Sequence, residues 1–285
     1  MKTIVLLVSV CLTAAGQHFD VASVRVSPPG TLHSHSKGGP GTGDPRQFRW
    51  EGATLMELLR SAYDVQQQQV LGPKWLEEDR FDIAATVPAG SSKQDLRLML
   101  LNLMEERFGL SAHRETRVLP VYAMLVAKDG PKFKVTQKDP PPDSASDADQ
   151  KPVTSVGLGP DGYLAMPKGY RGTMVGMVVA GKYFTRFKGE SMAEFAKFLT
   201  EQSDRLVIDL TELKDTYDFA ATWQLDPESP LLAGLRAPPP SPMLADPSPT
   251  MFQALPSQLG LKLEPRKMPE EVVIVDRMER MPTEN

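Results

Sequence analysis

The sequence predicts an α+β protein: a tandem duplication of a small sheet covered by two helices, with Gly/Pro-rich loops. Three observations lead there. An eight-residue pattern occurs twice, as Asp79-Arg80-Phe81-Asp82-Ile83-Ala84-Ala85-Thr86 and as Asp215-Thr216-Tyr217-Asp218-Phe219-Ala220-Ala221-Thr222. Apolar stripes at helical spacing recur at matching distances from it. Each stripe begins with a capping-box signature, in which a hydroxyl caps an orphan N–H and an acid or amide three residues on reaches back.

The repeat extends on both sides. Trp50-Glu51-Gly52-Ala53-Thr54-Leu55-Met56-Glu57-Leu58 aligns with Phe187-Lys188-Gly189-Glu190-Ser191-Met192-Ala193-Glu194-Phe195, and Phe108-Gly109-Leu110 with Leu259-Gly260-Leu261. Order is kept, and the extra length of the second copy falls in a proline-rich insertion, where loop closure tolerates it. In the first copy, Leu55, Leu58, Leu59 and Ala62 share one helix face, as do Leu96, Met99, Leu100 and Leu103. Met192, Phe195, Ala196 and Leu199 repeat the first stripe. Phe252, Leu255 and Leu259 form a poorer second one, in which Pro256 should shorten or kink the helix. The four helix starts are Thr54, Ser92, Ser191 and Thr250, with Glu57, Asp95, Glu194 and Gln253 completing the boxes.

Strands follow from alternation and β-branched content: Phe19–Val26, Gln47–Trp50, Phe81–Thr86, Val121–Ala127, Phe184–Phe187, Arg205–Ile208, Tyr217–Trp223 and Val272–Asp276. The Gly-rich stretch Val156–Phe187 reads as hairpins. Pro28–Pro45, Lys138–Lys151 and Asp226–Pro249 have the composition of unpacked loops. The resulting layout is a signal peptide over 1–16, a first module over 17–137, a linker over 138–155, and a second module over 156–285 with a Pro-rich insertion at 226–249.

The N-terminus reads as an address. Lys2 precedes the apolar run Ile4–Leu12, and small residues follow, which is the secretory signal pattern and too short to span a bilayer. Cleavage is expected near Ala15–Gln17. It removes Cys11, the chain's one cysteine, and leaves no thiol to mispair in an oxidising compartment. A lipid anchor on Cys11 is the alternative, against which bulky Val10 stands where a small residue is usual. No later run reaches the length of a membrane span, so no membrane crossing is expected after cleavage.

With 32 basic and 36 acidic residues the net charge is −4, which argues against nucleic acid as a partner. One cysteine and four histidines exclude a disulfide framework and a zinc ribbon. No catalytic residue, cofactor-binding residue or metal ligand is assigned, and no cofactor is expected. Ser34-x-x-Lys37 matches the serine–lysine element of penicillin-binding enzymes, but Gly38-Gly39-Pro40-Gly41 forbids the helix that element needs. Gly38–Pro45 lacks the Gly-Lys-Ser/Thr of a phosphate loop and reads as a turn-forming or binding loop. His33 and His35 are too few for a zinc site, and His18 and His113 lie far from them in sequence. Asp82 and Asp218 occupy matching positions, which points to a shared structural need, a carboxylate receiving strand-start amides, ahead of acid–base catalysis. Trp75 and Trp223 read as core or lid packing.

The chain resembles the soil-associated family of secreted bacterial proteins, a domain of unknown function. The residues that carry this include Phe19-Asp20-Val21-Ala22-Ser23-Val24, Gly72-Pro73-Lys74-Trp75-Leu76, Asp79–Ile83, Arg107-Phe108-Gly109-Leu110, His113-Arg114-Glu115-Thr116, Leu119-Pro120-Val121-Tyr122 and Leu259–Pro265. The resemblance implies no catalytic residues. Members joined to a membrane metallopeptidase of the antibiotic-sensor type imply sensing or partner binding outside the inner membrane. Each half is also similar to the short N-terminal domain of secretins and TonB-dependent receptors, through a capped helix, a strand pair and a second helix ending in Leu-Gly-Leu or Phe-Gly-Leu. That module makes protein contacts in the periplasm. The expected function is therefore a secreted or periplasmic, non-catalytic binding or interaction protein, its partner an envelope protein or cell-wall component. The alternatives are a cell-envelope hydrolase with a carboxylate-based site and an extracytoplasmic sensor-type module. A cleft of converging Asp, Glu and His would favour the hydrolase, and an open sheet edge or apolar groove the binder.

Overall fold

The structure is a computed structural model that describes residues 18–136, 159–166, 173–226 and 249–283. The signal segment and the loop Lys138–Lys151 lie outside these residues, as does all of the Asp226–Pro249 insertion except its two ends.

The elements alternate in two similar runs. The first is β1 (Val21–Val26), β2 (His35–Gly38), β3 (Gln47–Thr54), α1 (Leu55–Tyr63), β4 (Val70–Leu71), β5 (Arg80–Thr86), α2 (Lys93–Phe108) and β6 (Ser111–Val126). The second is β7 (Lys134–Val135), β8 (Met174–Val179), β9 (Lys182–Ser191), α3 (Met192–Thr200), β10 (Leu206–Asp209), β11 (Thr216–Gln224), α4 (Met251–Ala254) and β12 (Leu261–Arg277). Mixed helices and sheets make this the expected α+β class, with strand the larger share.

All four helix starts fall where the capping boxes place them. Thr54 Oγ1 accepts from the Glu57 N–H at 3.2 Å while Glu57 accepts from the Thr54 N–H at 2.8 Å. Ser92 and Asp95 reciprocate in the same way. The Ser191 hydroxyl oxygen accepts from the Glu194 N–H. At Thr250 the N–H donates to Gln253. The predicted stripes of α1 and α3 are buried throughout. In the last helix Pro256 has the foreseen effect: α4 ends at Ala254 and one π-helical turn, Leu255–Leu259, follows before Gly260 closes it in the left-handed region. The stripe there is corrected. Met251, Ala254, Leu255 and Leu259 are buried, whereas Phe252 is exposed.

The chain folds as two compact units. One lies within Met1–Val65, Gly72–His113 and Val275–Asn285, the other within Gln66–Leu71 and Arg114–Ile274. These units do not follow the expected division at 137/138. The short strand β4 and most of β6 pair inside the second unit, and the last residues of the chain return to the first. The physical reason is the pairing of short strands with long ones: β4 runs parallel to β12, and β10 parallel to β6, in a sheet of order β10-β6-β12-β4.

The first unit holds an antiparallel sheet of order β1-β5-β3-β2. Leu55, Leu58 and Leu59 of α1, Met99, Leu100 and Leu103 of α2, and Phe81 and Ile83 of β5 are all buried, and Phe81 meets Phe108 edge to face at 5.1 Å. The second unit holds an antiparallel sheet of order β7-β11-β9-β8. Its core joins Phe187, Phe195, Phe219, Trp223 and Leu255, among others. Each such side chain stabilises by about 1.5–3 kcal/mol through burial. Strand for strand, the two sheets have the same order and the same sense of pairing.

Candidate functional site

The residues singled out from sequence separate into structural and exposed groups. Asp82 and Asp218 prove to be one device used twice. Asp82 Oδ1 accepts from the Gly52 N–H at 2.9 Å and the Ser27 hydroxyl at 2.6 Å. Asp218 Oδ1 accepts from the Gly189 N–H at 2.8 Å and the Thr136 hydroxyl at 2.7 Å. Gly52 and Gly189 both have φ of 68°, and each sits beside an irregularity in the strand register. The carboxylate thus satisfies an amide that the bulge removes from the ladder, and in both copies one oxygen, Oδ1, takes both bonds.

The Gly38–Pro45 stretch is no unpacked loop at its start. Strand β2 pairs with β3, Gly39 and Pro40 are buried, and the Gly39 N–H donates to Gln47 O at 2.7 Å, so that amide points back into the protein. Ser34 Oγ accepts from Trp50 Nε1 at 2.8 Å, and Lys37 is exposed on β2. Lys37 lies on β2 and Ser34 just ahead of it, so neither is on the helix that the serine–lysine element needs. Trp223 is core, as expected, but Trp75 is half-buried and its neighbour Leu76 fills the interior instead. His113 Nδ1 lies 2.8 Å from Asp276 Oδ2 on an exposed face. Among the described residues no group of three or more His, Cys, Asp or Glu has the geometry to hold a metal ion.

Two exposed sites were not foreseen. The first is a cleft of about 180 Å³ in the first unit, lined by His18, Asp20, Met99, Leu103, Glu106 and Arg107 among others. His18 Nδ1 stands 3.1 Å from Glu106 Oε1, and both side chains are more than half exposed. The second is a cluster in the second unit. Phe252 meets Tyr122 edge to face at 5.0 Å, the Arg205 guanidinium lies 5.2 Å from the centre of the Tyr122 ring, and the Tyr122 hydroxyl donates to Asp204 at 3.1 Å. Partial burial, then the Asp204 carboxylate, push the Tyr122 phenol above its ordinary range.

A third surface is the edge strand β8. Ala180 and Gly181 both have positive φ, at 50° and 77°, and form a two-residue loop of the kind that matches strand twist. In such a hairpin the closing pair, Val179 and Lys182, exchanges backbone bonds, and alternation then assigns Met177–Phe184 and Val175–Arg186 to the same class. The Lys188 N–H donating to Thr173 O at 2.8 Å fits that phase. Gly176 and Val178 therefore direct their N–H and C=O groups away from β9. Gly176 is required there, since a Cβ would come within 2.3 Å of the Tyr183 hydroxyl, whose ring lies across it. The strand Met-Val-Gly-Met-Val-Val carries no charge and no proline. Its counterpart β2, with His35, Ser36 and Lys37, is short and polar.

A mixed fold of two like sheets, with exposed edges and a shallow cleft, is the class to which these observations lead. A family model described as "Protein of unknown function (DUF3738)" matches residues 56–278, and the chain belongs to that family. No curated protein and no solved structure matches it significantly. Among the described residues no helix is long and apolar enough to cross a membrane.

Proposed function

We propose that the protein is a secreted or periplasmic binding protein of the bacterial envelope, non-catalytic and internally duplicated, that takes up an extended polypeptide strand along β8. The observation that carries this is the apolar edge of β8, whose outer side pairs with no other strand among the described residues. Natural sheets guard such edges with charge, proline or brevity, and β2 is guarded while β8 is not. Strand addition would supply main-chain hydrogen bonds for affinity and side-chain contacts for choice of partner. The signal-like N-terminus, the resemblance to the soil-associated secreted family, and the likeness to the secretin and TonB-receptor short domain support the location and the kind of contact. The partner in this reading is an envelope protein. Capture from a native envelope extract tests it. Wild type should retain a partner that Val178→Pro loses, because proline removes one outward N–H and leaves the ladder to β9 intact. Equal capture by both would count against the edge.

What favours a hydrolase is the cleft holding His18, Asp20 and Glu106. Its volume, about 180 Å³, is below the roughly 300–1,000 Å³ of small-molecule sites. An envelope-hydrolysing activity of wild type that His18→Ala abolishes would put that reading first.

A further inference from the structure

We propose that β8 pairs with β8 of a second copy of this chain, antiparallel across a two-fold axis at Met177, to join two four-stranded sheets into one of eight. This rests on the reading of β8 as a pairing edge and names what occupies it when no envelope strand is bound.

The edge of β8 is self-complementary. An isologous contact requires that one patch match itself after a half-turn. With the axis at Met177, Gly176 faces Val178 of the other copy, and Val178 faces its Gly176. These are the two residues whose N–H and C=O point outward, so each pair exchanges both bonds and every outward group of Gly176 and Val178 is satisfied. The side chains agree with this register. Gly176 and Val178 lie on the core side, where a residue without a side chain stands opposite a branched one. Val175, Met177 and Val179 lie on the other face, where Met177 meets Met177 and Val175 meets Val179, all apolar. Because β8 carries no charge, the half-turn apposes no like charges on the strand. The same operation on β2 would set Lys37 of one copy against His35 of the other, a polar pair with no apolar match. A strand of six residues extends about 20 Å, so the contact belongs to the small, reversible class of interface, and its population should rise with protein concentration.

The register makes the test specific. Across the axis the two Met177 residues form a non-hydrogen-bonded pair with Cα atoms about 4.5 Å apart, inside the roughly 4.4–6.8 Å a disulfide accepts. The two Val179 residues would be separated by roughly 13 Å along the strand. In a full chain with Cys11→Ser, Met177→Cys should oxidise to a covalent dimer, and Val179→Cys should stay monomeric under the same mild oxidation. Sedimentation of the Cys11→Ser chain should show a dimer at high concentration that Met177→Lys, a change off the core side, converts to monomer without altering the melting temperature. Monomer at every concentration, absence of the Met177→Cys cross-link, or equal cross-linking at Val179 would overturn the proposal. If the chain is monomeric yet Val178→Pro still loses an envelope partner, the pairing edge stands with a foreign strand in it; if both fail, the edge reading fails too.

Discussion

The β1-β5-β3-β2 sheet of the first unit and the β7-β11-β9-β8 sheet of the second match in order, pairing and a detail as fine as an Asp–Gly–hydroxyl brace, yet they differ at two places. The edge strand is polar in one and apolar in the other. The residue after the bulge glycine is buried Ala53 in one and buried Glu190 in the other. What the sheets share is what the strand-to-helix corner needs in order to fold. Where they differ, the need has been lifted or replaced, and those are the positions at which to look for function.

The largest effect should separate the two glycines. A Cβ at Gly52 would stand 2.3 Å from His33 O, whereas at Gly189 the nearest atom is Thr136 Cγ2 at 3.9 Å. Both sit at positive φ, so Gly189→Ala should cost about 1–2 kcal/mol from backbone strain alone, and Gly52→Ala roughly 2–5 kcal/mol once the collision is added. Chemical denaturation of the two variants measures the gap; equal losses would show that the corners are less rigid than their geometry implies. Next come the braces. Asp82→Asn and Asp218→Asn should each lose about 1–3 kcal/mol, since a charged acceptor is weakened at two bonds, and the two losses should be similar. Partner binding should survive wherever the variant folds. A fully stable Asp82→Asn that lacks an envelope-directed activity would instead make Asp82 functional.

The smallest effect concerns Glu190. Burial pushes its carboxyl above the usual range, against a hydrogen bond from Thr173, and the nearby Glu194 adds to the rise. A carboxyl raised in the folded state binds its proton more tightly there than in the unfolded chain. Its contribution to stability is therefore fully present below the unfolded value near 4.5 and is lost as pH rises through the folded value. Glu190→Gln should flatten that part of the stability–pH profile and raise stability at neutral pH. A profile unchanged by the substitution would mean that water reaches the carboxylate.

Much of the fold was legible in the sequence because local chemistry and tertiary need coincide there. Capping boxes, helical stripes and the repeated octapeptide each state a local preference that packing then uses. The long strands were less legible. Val121–Ala127 extends back to Ser111, and Val272–Asp276 back to Leu261. Pro120, Pro265 and Pro269 lie within them, and their exposed stretches carry Arg114, Glu115, Arg117, Arg266 and Lys267, so neither hydrophobic alternation nor proline avoidance marks them as strand. Short β2 was missed because its pairing to β3 is set by Gly38 and Gly39 at positive φ and not by apolar content. The candidate edge was half legible. Val156–Phe187 reads as hairpins, but that β8 ends the sheet depends on strand order, which one chain's residue pattern does not encode.

Self-pairing along β8, and its absence along β2, can be read at once by backbone hydrogen exchange. Amides of Gly176 and Val178 should exchange quickly in dilute protein and become protected as concentration rises, while the amides of His35–Gly38 keep the same rates throughout. Exchange at Gly176 and Val178 that stays fast at every concentration, or protection that grows equally on β2, would contradict it.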